Sequence, residues 1–440
     1  MAMSKEPQKP CPDLLHKTTH LMQDGMNARA FGEYVTPEAL GDARWTDELI
    51  LSTWYMAETG KVPEGMNYKT GKSGGGFDKL EFKFLNEDNW LPHDDSITTD
   101  LPLNRRGDER AKLTTSIPIY GGGMSYGSVS VNVMMSRALN AKKWKTYMST
   151  GEGGYPEELY ECRDHVITQV ATGYFGVEER SIQAAPIVEF KYAQGAKPGL
   201  GGHLLASKAG EEVAKMRGSV PFVSLFSPFP FHSTYSVEDH SKHIDWIQTI
   251  NPDALISVKV STPHDVDMVA VGSFYAGAHI IHLDGAFGGT GAAPEIAKKN
   301  IAMPIELAIP KVHKFLIKEG IRDKVTLIAS GGVRTADDIA KAIALGADGC
   351  VLGTSDLVAM GCTRCSNCEG GPSGRGCPWG LTTTDVELQE WVQQDWGMMR
   401  LDNYYTALQW RLRDILRQLG LTDVKELVGR VDLLKYIGGE

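Results

Sequence analysis

The sequence predicts an α/β protein closed into a (β/α)8 barrel, with a mostly helical N-terminal extension and a C-terminal helical tail. Three observations predict it. Short apolar runs alternate with amphipathic stretches over roughly 250 residues from about position 115, and such alternation means a parallel sheet covered by helices. Several runs end in Gly-rich or polar clusters, as barrel strands do at the carboxyl ends that carry active sites. The composition, 42% apolar and 23% charged, is that of a globular chain able to bury a large core.

A length of 440 residues allows two or three domains. The divisions expected are an extension at 1–110, a barrel at 111–383 and a tail at 384–440. In the extension, TPEALGDARWTDELILSTWYMAE reads as helix, with Thr36 as cap, Pro37 in the first turn and Glu38 at the positive end. TGKSGGGFD at 70–78 reads as a connector, because no Gly-Lys-Ser/Thr closes it as a phosphate loop would. The expected barrel strands include SIPIYGG, APIVEFK, PFVSLF, ALISVKV, AHIIHLDG, VTLIASGG and GCVLGT. SVEDHSKHIDWIQTI and TADDIAKAIALG have helical periodicity between them. The tail is helical through DVELQEWVQQDW and NYYTALQWRLRDILRQLG.

The net charge of −10 and the lack of a basic stripe exclude nucleic acid as a partner. No apolar stretch reaches the roughly 18 residues of a membrane span. The polar start MAMSKEPQKPCPDLLHKTTH carries no secretory signal, so a cytoplasmic location is expected. In that reducing setting the seven cysteines are not expected to form disulfides.

The segment from Val325 to Thr354 carries an anion site. A strand Val325–Ala329 runs into Ser330-Gly331-Gly332, a helix starts near Thr335, and a strand Gly349–Leu352 ends in Gly353-Thr354. Bare amides at two adjacent strand ends, beside a helix N-terminus, stabilise a phosphate. Flavin mononucleotide (FMN) is the common occupant of this barrel position.

Cys362, Cys365 and Cys368 are spaced C-x2-C-x2-C, and Cys377 is followed by Pro378. Thiolates so spaced converge on a soft-metal site, and the distal Cys-Pro suits an iron–sulfur cluster. Zinc would need a second paired knuckle, which is missing. Cys11, Cys162 and Cys350 are isolated, and Cys350 reads as a small core residue. His232, His240 and His282 fit no zinc spacing.

Residues 115–435 resemble the flavin-binding synthase domain of the glutamate synthase family. The motifs are PIYGGGMSYGSVS (118–130), STGEGG (149–154), QVATGYFGV (169–177), KYAQGAKPGLGGHL (191–204), TYSVEDH (234–240), ISVKV (256–260), DGAFGGTGAAP (284–294), SGGVRTADD (330–338) and the Cys segment at 361–380. The resemblance implies a barrel carrying FMN and an iron–sulfur cluster. It implies that Gly123, Met124 and Ser125 line the flavin ring, with Thr150 and Glu152 beside it. Gln169 and Lys259 are implied ring contacts, and Gly331, Gly332, Gly353 and Thr354 take the phosphate. Gln194 and Lys197, with Glu152, are the implied catalytic set facing the substrate. A lysine inside a strand such as ISVKV has a physical use there, because an ammonium stabilises the negative charge of a reduced flavin. Asp284 and Glu152 are the carboxylates nearest the expected flavin. Family members hold a three-iron (3Fe–4S) cluster with C-x5-C-x4-C-P. Cys362 and Cys368 keep the first spacing, eight residues separate Cys368 from Cys377, and Cys365 is an extra ligand that permits a four-iron (4Fe–4S) cluster.

Within the family, the run from His20 to Tyr55 resembles the large flavin subunit of N-methylglutamate synthases (methylamine–glutamate N-methyltransferases). The resemblance implies that glutamate and methylamine give N-methylglutamate and ammonia, with hydride exchange between FMN and a 2-iminoglutarate. The alternative within the family is a core that makes glutamate from 2-oxoglutarate and ammonia with an external reductant. An alternative of another class is a non-catalytic FMN and iron–sulfur electron-transfer subunit. No glutaminase nucleophile or Gly-rich β-helix domain is legible, so amidotransferase-like and β-helix-like partner subunits in a hetero-oligomer are expected.

Overall fold

The computed structural model describes residues 40–64, 76–92, 96–290, 293, 296–298, 300–369 and 374–438. Eight parallel strands close on one another in sequence order. They are β1 Ile119–Gly121, β2 Met148–Ser149, β3 Val166–Ala171, β4 Ile187–Lys191, β5 Leu255–Ser261, β6 Ile280–Asp284, β7 Thr326–Ser330 and β8 Gly349–Leu352. Helix α1, Asp47–Thr59, precedes the barrel. The outer helices include α2 Val131–Lys143, α3 Glu179–Ala184, α4 Glu211–Arg217, α5 Val237–Ile250, α6 Val266–Ala276, α7 Ile305–Lys318, α8 Ala336–Leu345 and α9 Thr354–Ala359. Further on come α10, Val386–Gln389, and α11, Gln394–Leu419.

The strand interiors explain how one sheet is both a core and a site. Side chains two apart share a face. The lower inward positions are apolar: Ile167, Ile187, Leu255, Ile280, Ile328 and Val351 pack together with Tyr120. Two residues up the same strands stand Gln169, Glu189, Ser257, His282 and Ser330, all buried. Two further on, β4 to β6 carry Lys191, Lys259 and Asp284. The register sets Gln169 opposite Glu189, Glu189 opposite Ser257, and Asp284 opposite Ser330. The barrel is therefore greasy at the bottom, polar in the middle and charged at the carboxyl rim.

A hairpin of Leu101–Pro102 with Thr114–Thr115 plugs the bottom, inserting Leu101 and Leu103 into the apolar layer. Arg106 Nη1 caps the carbonyls of Phe274 and Ala278, both at 2.9 Å, and Arg105 pairs with Asp348 at 2.7 Å. Helix α11 packs against α2 and α8 and completes the helical ring. Helix α1 packs on α11 and α9, and Trp54 Nε1 donates to the Val358 carbonyl at 2.9 Å. A strand Leu80–Phe82 pairs antiparallel with Leu434–Tyr436, tying the two flanks together.

Two expectations need correction, and a third falls outside the described residues. PFVSLF is no barrel strand: only Leu225–Phe226 is extended, and it pairs antiparallel with His203–Leu204 in the long loop after β4. Its apolar residues Phe222 and Phe226 are exposed, so the run was hydrophobic without being core. Strands β2 and β3 had no counterpart among the expected strands. The described helix in the extension begins at Asp47, where Thr46 Oγ1 accepts from Leu49 N at 3.3 Å. The expected start at Thr36 to Glu38 lies outside the described residues.

Candidate active site

A cleft of about 440 Å³ opens at the carboxyl ends of the strands. Of the residues singled out from sequence, Gly123, Met124, Ser125, Glu152, Gln169, Gln194, Lys197, Lys259, Gly331, Gly332, Gly353 and Thr354 line it, as do all four clustered cysteines. Thr150 does not reach its wall. That hydroxyl is buried, donates to the Gly151 carbonyl and accepts from Gln169 N at 3.3 Å, so it shapes the floor from behind.

One corner is made of β7, β8 and their following turns. Gly331 and Gly332 have φ of +89° and +130°, and a Cβ on Gly331 would run into the Gly285 backbone. Only glycine gives this turn both its handedness and its close approach to β6. The amides of Gly331, Gly332 and Gly353 donate to no protein group among the described residues. Unspent amides converging on a cleft fit a phosphate, and this is the usual phosphate position in such barrels. The residues present fit FMN.

The floor is a buried polar network. Glu189 accepts from Gln169 Nε2 at 2.7 Å, from Ser257 Oγ at 3.0 Å and from His282 Nδ1 at 2.9 Å. Ser330 Oγ lies 2.8 Å from His282 Nε2 and donates to Asp284 Oδ1 at 2.5 Å. Asp284 Oδ2 accepts from Gly195 N at 2.9 Å and stands 3.7 Å from Lys259 Nζ. Burial alone would raise the Asp284 carboxyl, but Lys259 and His282 outweigh it and hold it below its ordinary value. Asp284 is thus a buried anion that fixes a lysine and the 194–197 loop at once, more than a turn residue before Gly285.

The side wall is cationic. Glu152 pairs with Lys191 at 3.2 Å and accepts from Ser227, and these contacts outweigh burial and keep it ionised. Lys197 is 5% exposed, and burial with the nearby Lys191 lowers its ammonium to about 8. Arg217, at the end of α4, donates through Nη2 to Ser125 Oγ at 3.0 Å and to the Tyr126 carbonyl at 3.1 Å. Its Nε is buried without a partner among the described residues. Lys191, Arg217 and the Glu189–His282 pair were missed in the sequence. A lysine ending a buried strand was the available signal for Lys191; Arg217 reads as an ordinary cation in the last turn of a helix.

The cysteines form the far wall. Cys377 is 5% exposed, and Cys362, Cys365 and Cys368 are half-buried. Burial pushes the Cys362 thiol up to about 12, with Cys368 and Cys377 adding to the rise. Among the described residues no three His, Cys, Asp or Glu side chains are gathered tightly enough for a single metal ion. Four cysteines on one wall of the cleft are the kind of donor set that an iron–sulfur cluster uses. His232, His240 and His282 do not converge: His240 contacts Tyr192, and His282 is spent in the floor network.

A family profile described as the conserved region in glutamate synthase matches residues 85–422. The chain is 37% identical over 416 residues to an archaeal-type glutamate synthase (NADPH) of Dehalococcoides mccartyi, covering 90% of this chain and 82% of the relative. It is 39% identical over 328 residues to an archaeal-type glutamate synthase (NADPH) of Thermotoga neapolitana, covering 74% of this chain but only 64% of that relative. In fold it resembles a flavocytochrome b2 with sulfite bound, at a TM-score of 0.53 and 14% identity, covering 95% of this chain and 91% of the other. No described helix is long and apolar enough to cross a membrane.

Proposed function

The chain belongs to the glutamate synthase family, and from that premise we propose that it is an FMN-dependent core that makes glutamate from 2-oxoglutarate and ammonia with an external reductant. The observation that carries this reading is the side wall: Lys191, Lys197 and Arg217 gathered around Glu152, beside the glycine corner. Three cations suit a dicarboxylate, and one carboxylate among them suits the N–H groups of an ammonium or imine. FMN, when bound, supplies the hydride. An iron–sulfur cluster on the cysteine wall supplies a path for single electrons from a reductant.

The chain's own residues do the rest. Arg217 and Lys197 bind and orient the acid, which holds its α-carbon in one place. Glu152 orients the nitrogen and accepts its hydrogen bond. Gly331, Gly332, Gly353 and Thr354 hold the phosphate, and Lys259 is held by Asp284 where it can stabilise negative charge on the ring. The loop carrying Gln194 and Lys197 covers the site and excludes water.

The methylamine reading keeps every one of these roles and changes only the amine. Its support is the likeness of the run from His20 to Tyr55, of which residues 20–39 lie outside those described. The relatives above are named as NADPH glutamate synthases, which favours ammonia and an external reductant. Amidotransferase-like and β-helix-like subunits in a hetero-oligomer belong to the proposal in either form.

The test supplies the protein with 2-oxoglutarate, ammonia and a reducing system, and separately with glutamate and methylamine. Glutamate formed only with reductant supports the proposal. N-methylglutamate formed without reductant, with deuterium from C2 of glutamate reappearing at the product α-carbon, selects the methylamine form instead. In Lys197→Ala a synthase loses turnover, whereas an electron relay keeps its electron transfer.

A further inference from the structure

We propose that Arg44, in the strap of residues 40–46 ahead of α1, is the cation that clamps the phosphate of bound FMN. The inference rests on the cofactor reading above and adds to it a residue that precedes the family match at 85–422. Arg44 lines the same cleft as Gly331, Gly332 and Gly353, and it is 8% exposed. Its Nη2 donates to the Gly332 carbonyl at 3.4 Å, and its guanidinium lies 3.7 Å above the centre of the Phe287 ring. Its Nη1 is buried and has no hydrogen-bond partner among the described residues. A buried guanidinium nitrogen without a partner costs stability, and an anion in the glycine corner removes that cost.

The arginine next to the glycines in sequence cannot take this role. Arg334 is engaged with Asp78 at 2.5 Å and with Asp338 at 2.9 Å, and its Nη1 donates to the Arg44 carbonyl at 3.1 Å. Arg334 thus holds the strap, and the strap presents Arg44. The other anchors are specific. Asp42 accepts from the amides of Arg44 and Trp45 at 2.8 and 2.9 Å, and it pairs with Arg364 at 2.7 Å. Gly41 N donates to the Thr363 carbonyl at 3.0 Å. A planar guanidinium fixed from both sides is suited to paired bonds with phosphate oxygens, and a lysine would supply only a point charge.

The experiment compares FMN with riboflavin, which lacks the phosphate, by fluorescence titration of flavin-stripped full-length protein. Arg44→Gln is expected to weaken FMN by about tenfold or more while leaving riboflavin within about twofold. Equal losses for both flavins, or no loss for FMN, overturn the clamp. Should Arg44→Gln fail to fold, Arg44→Lys carries the same comparison. It is expected to lose about three- to tenfold for FMN alone, and equal losses for both flavins overturn the clamp again. A wild-type chain that binds neither flavin removes the cofactor reading itself, which separates the two failures.

Discussion

Glu189 and His282 meet inside the barrel, Oε2 to Nδ1 at 2.9 Å, and each is 1% exposed. They sit on neither the same strand nor adjacent ones: β5 lies between, and its Ser257 supplies another bond to the same carboxylate. A carboxylate this deep is tolerable only because both of its oxygens accept hydrogen bonds, three in all. The pair joins the floor of the cleft, from Gln169 on β3 to Asp284 on β6, into one connected set.

Glu189 should be the acid-sensitive member of that set. Burial raises its carboxyl, but His282, Lys259 and Gln169 outweigh it and hold it at about 2, against an ordinary 4.5. Its contribution to stability is therefore complete above pH 4.5 and is lost as pH falls through about 2. Denaturant unfolding at pH 6 and pH 3.5 should show a smaller loss for Glu189→Gln than for wild type. At pH 6, Glu189→Ala should cost about 3–5 kcal/mol, because it leaves the buried donors of Gln169, Ser257 and His282 without their acceptor. An equal acid loss in wild type and Glu189→Gln would remove Glu189 from this role.

Lys197 should set an alkaline limit on substrate binding. Its ammonium, lowered to about 8 by burial and Lys191, is present below that pH and lost above it. Affinity for a 2-oxo dicarboxylate should hold from pH 6.5 to 7.5 and weaken above 8 by up to about tenfold per unit. Lys197→Arg, which stays charged, should bind more weakly but without this limb. A flat profile to pH 9.5 in the wild type contradicts the assignment.

Cys365 should report the cluster type. With three irons, Cys362, Cys368 and Cys377 suffice, and Cys365→Ala keeps both the iron content and the spin signal of the oxidised protein. With four irons the same change converts or destroys the cluster. Cys368→Ser should lose iron in either case. Cys350→Ser should keep it, since Cys350 is fully buried in β8. Zinc in the purified protein, measured by elemental analysis, would overturn the iron reading.

Gly195→Ala should uncouple the covering loop from the floor. A Cβ there would strike the carbonyls of Asp284 and Gly285, and the Gly195 amide already donates to Asp284 at 2.9 Å. The expected cost is about 1–3 kcal/mol from overpacking. The sharper readout is a rise in KM for the acid, because Lys197 lies two residues on. An unchanged KM would show that the loop is positioned some other way.

The barrel was legible where its strands were long and apolar, as in ALISVKV and AHIIHLDG. It was hidden where function replaced apolar residues. In β3, VITQVA, the interior Gln169 interrupts the pattern because that position faces the cleft floor. β2 is two residues long and leaves no period to read. PFVSLF misled because hydrophobicity alone does not distinguish a core strand from an exposed hairpin. The glycine corner and the cysteines were readable as motifs, local in sequence. Arg44, Lys191, Arg217 and His282 were not, because each gains its meaning from partners far along the chain.

The packing of α1 against α11 sets a schedule for the ribosome. The face of α1 that carries Ala57 and Glu58 is made early, and the helix that covers it begins only at Gln394. At about 5–20 residues per second, tens of seconds separate the two during synthesis. The strap bearing Arg44 is supported sooner, by Arg334, Thr363 and Arg364, so the cofactor corner is finished before the last long helix is made. A nascent chain stalled before Gln394 should therefore carry a nearly complete barrel and an unshielded N-terminal helix, the kind of surface that chaperones hold.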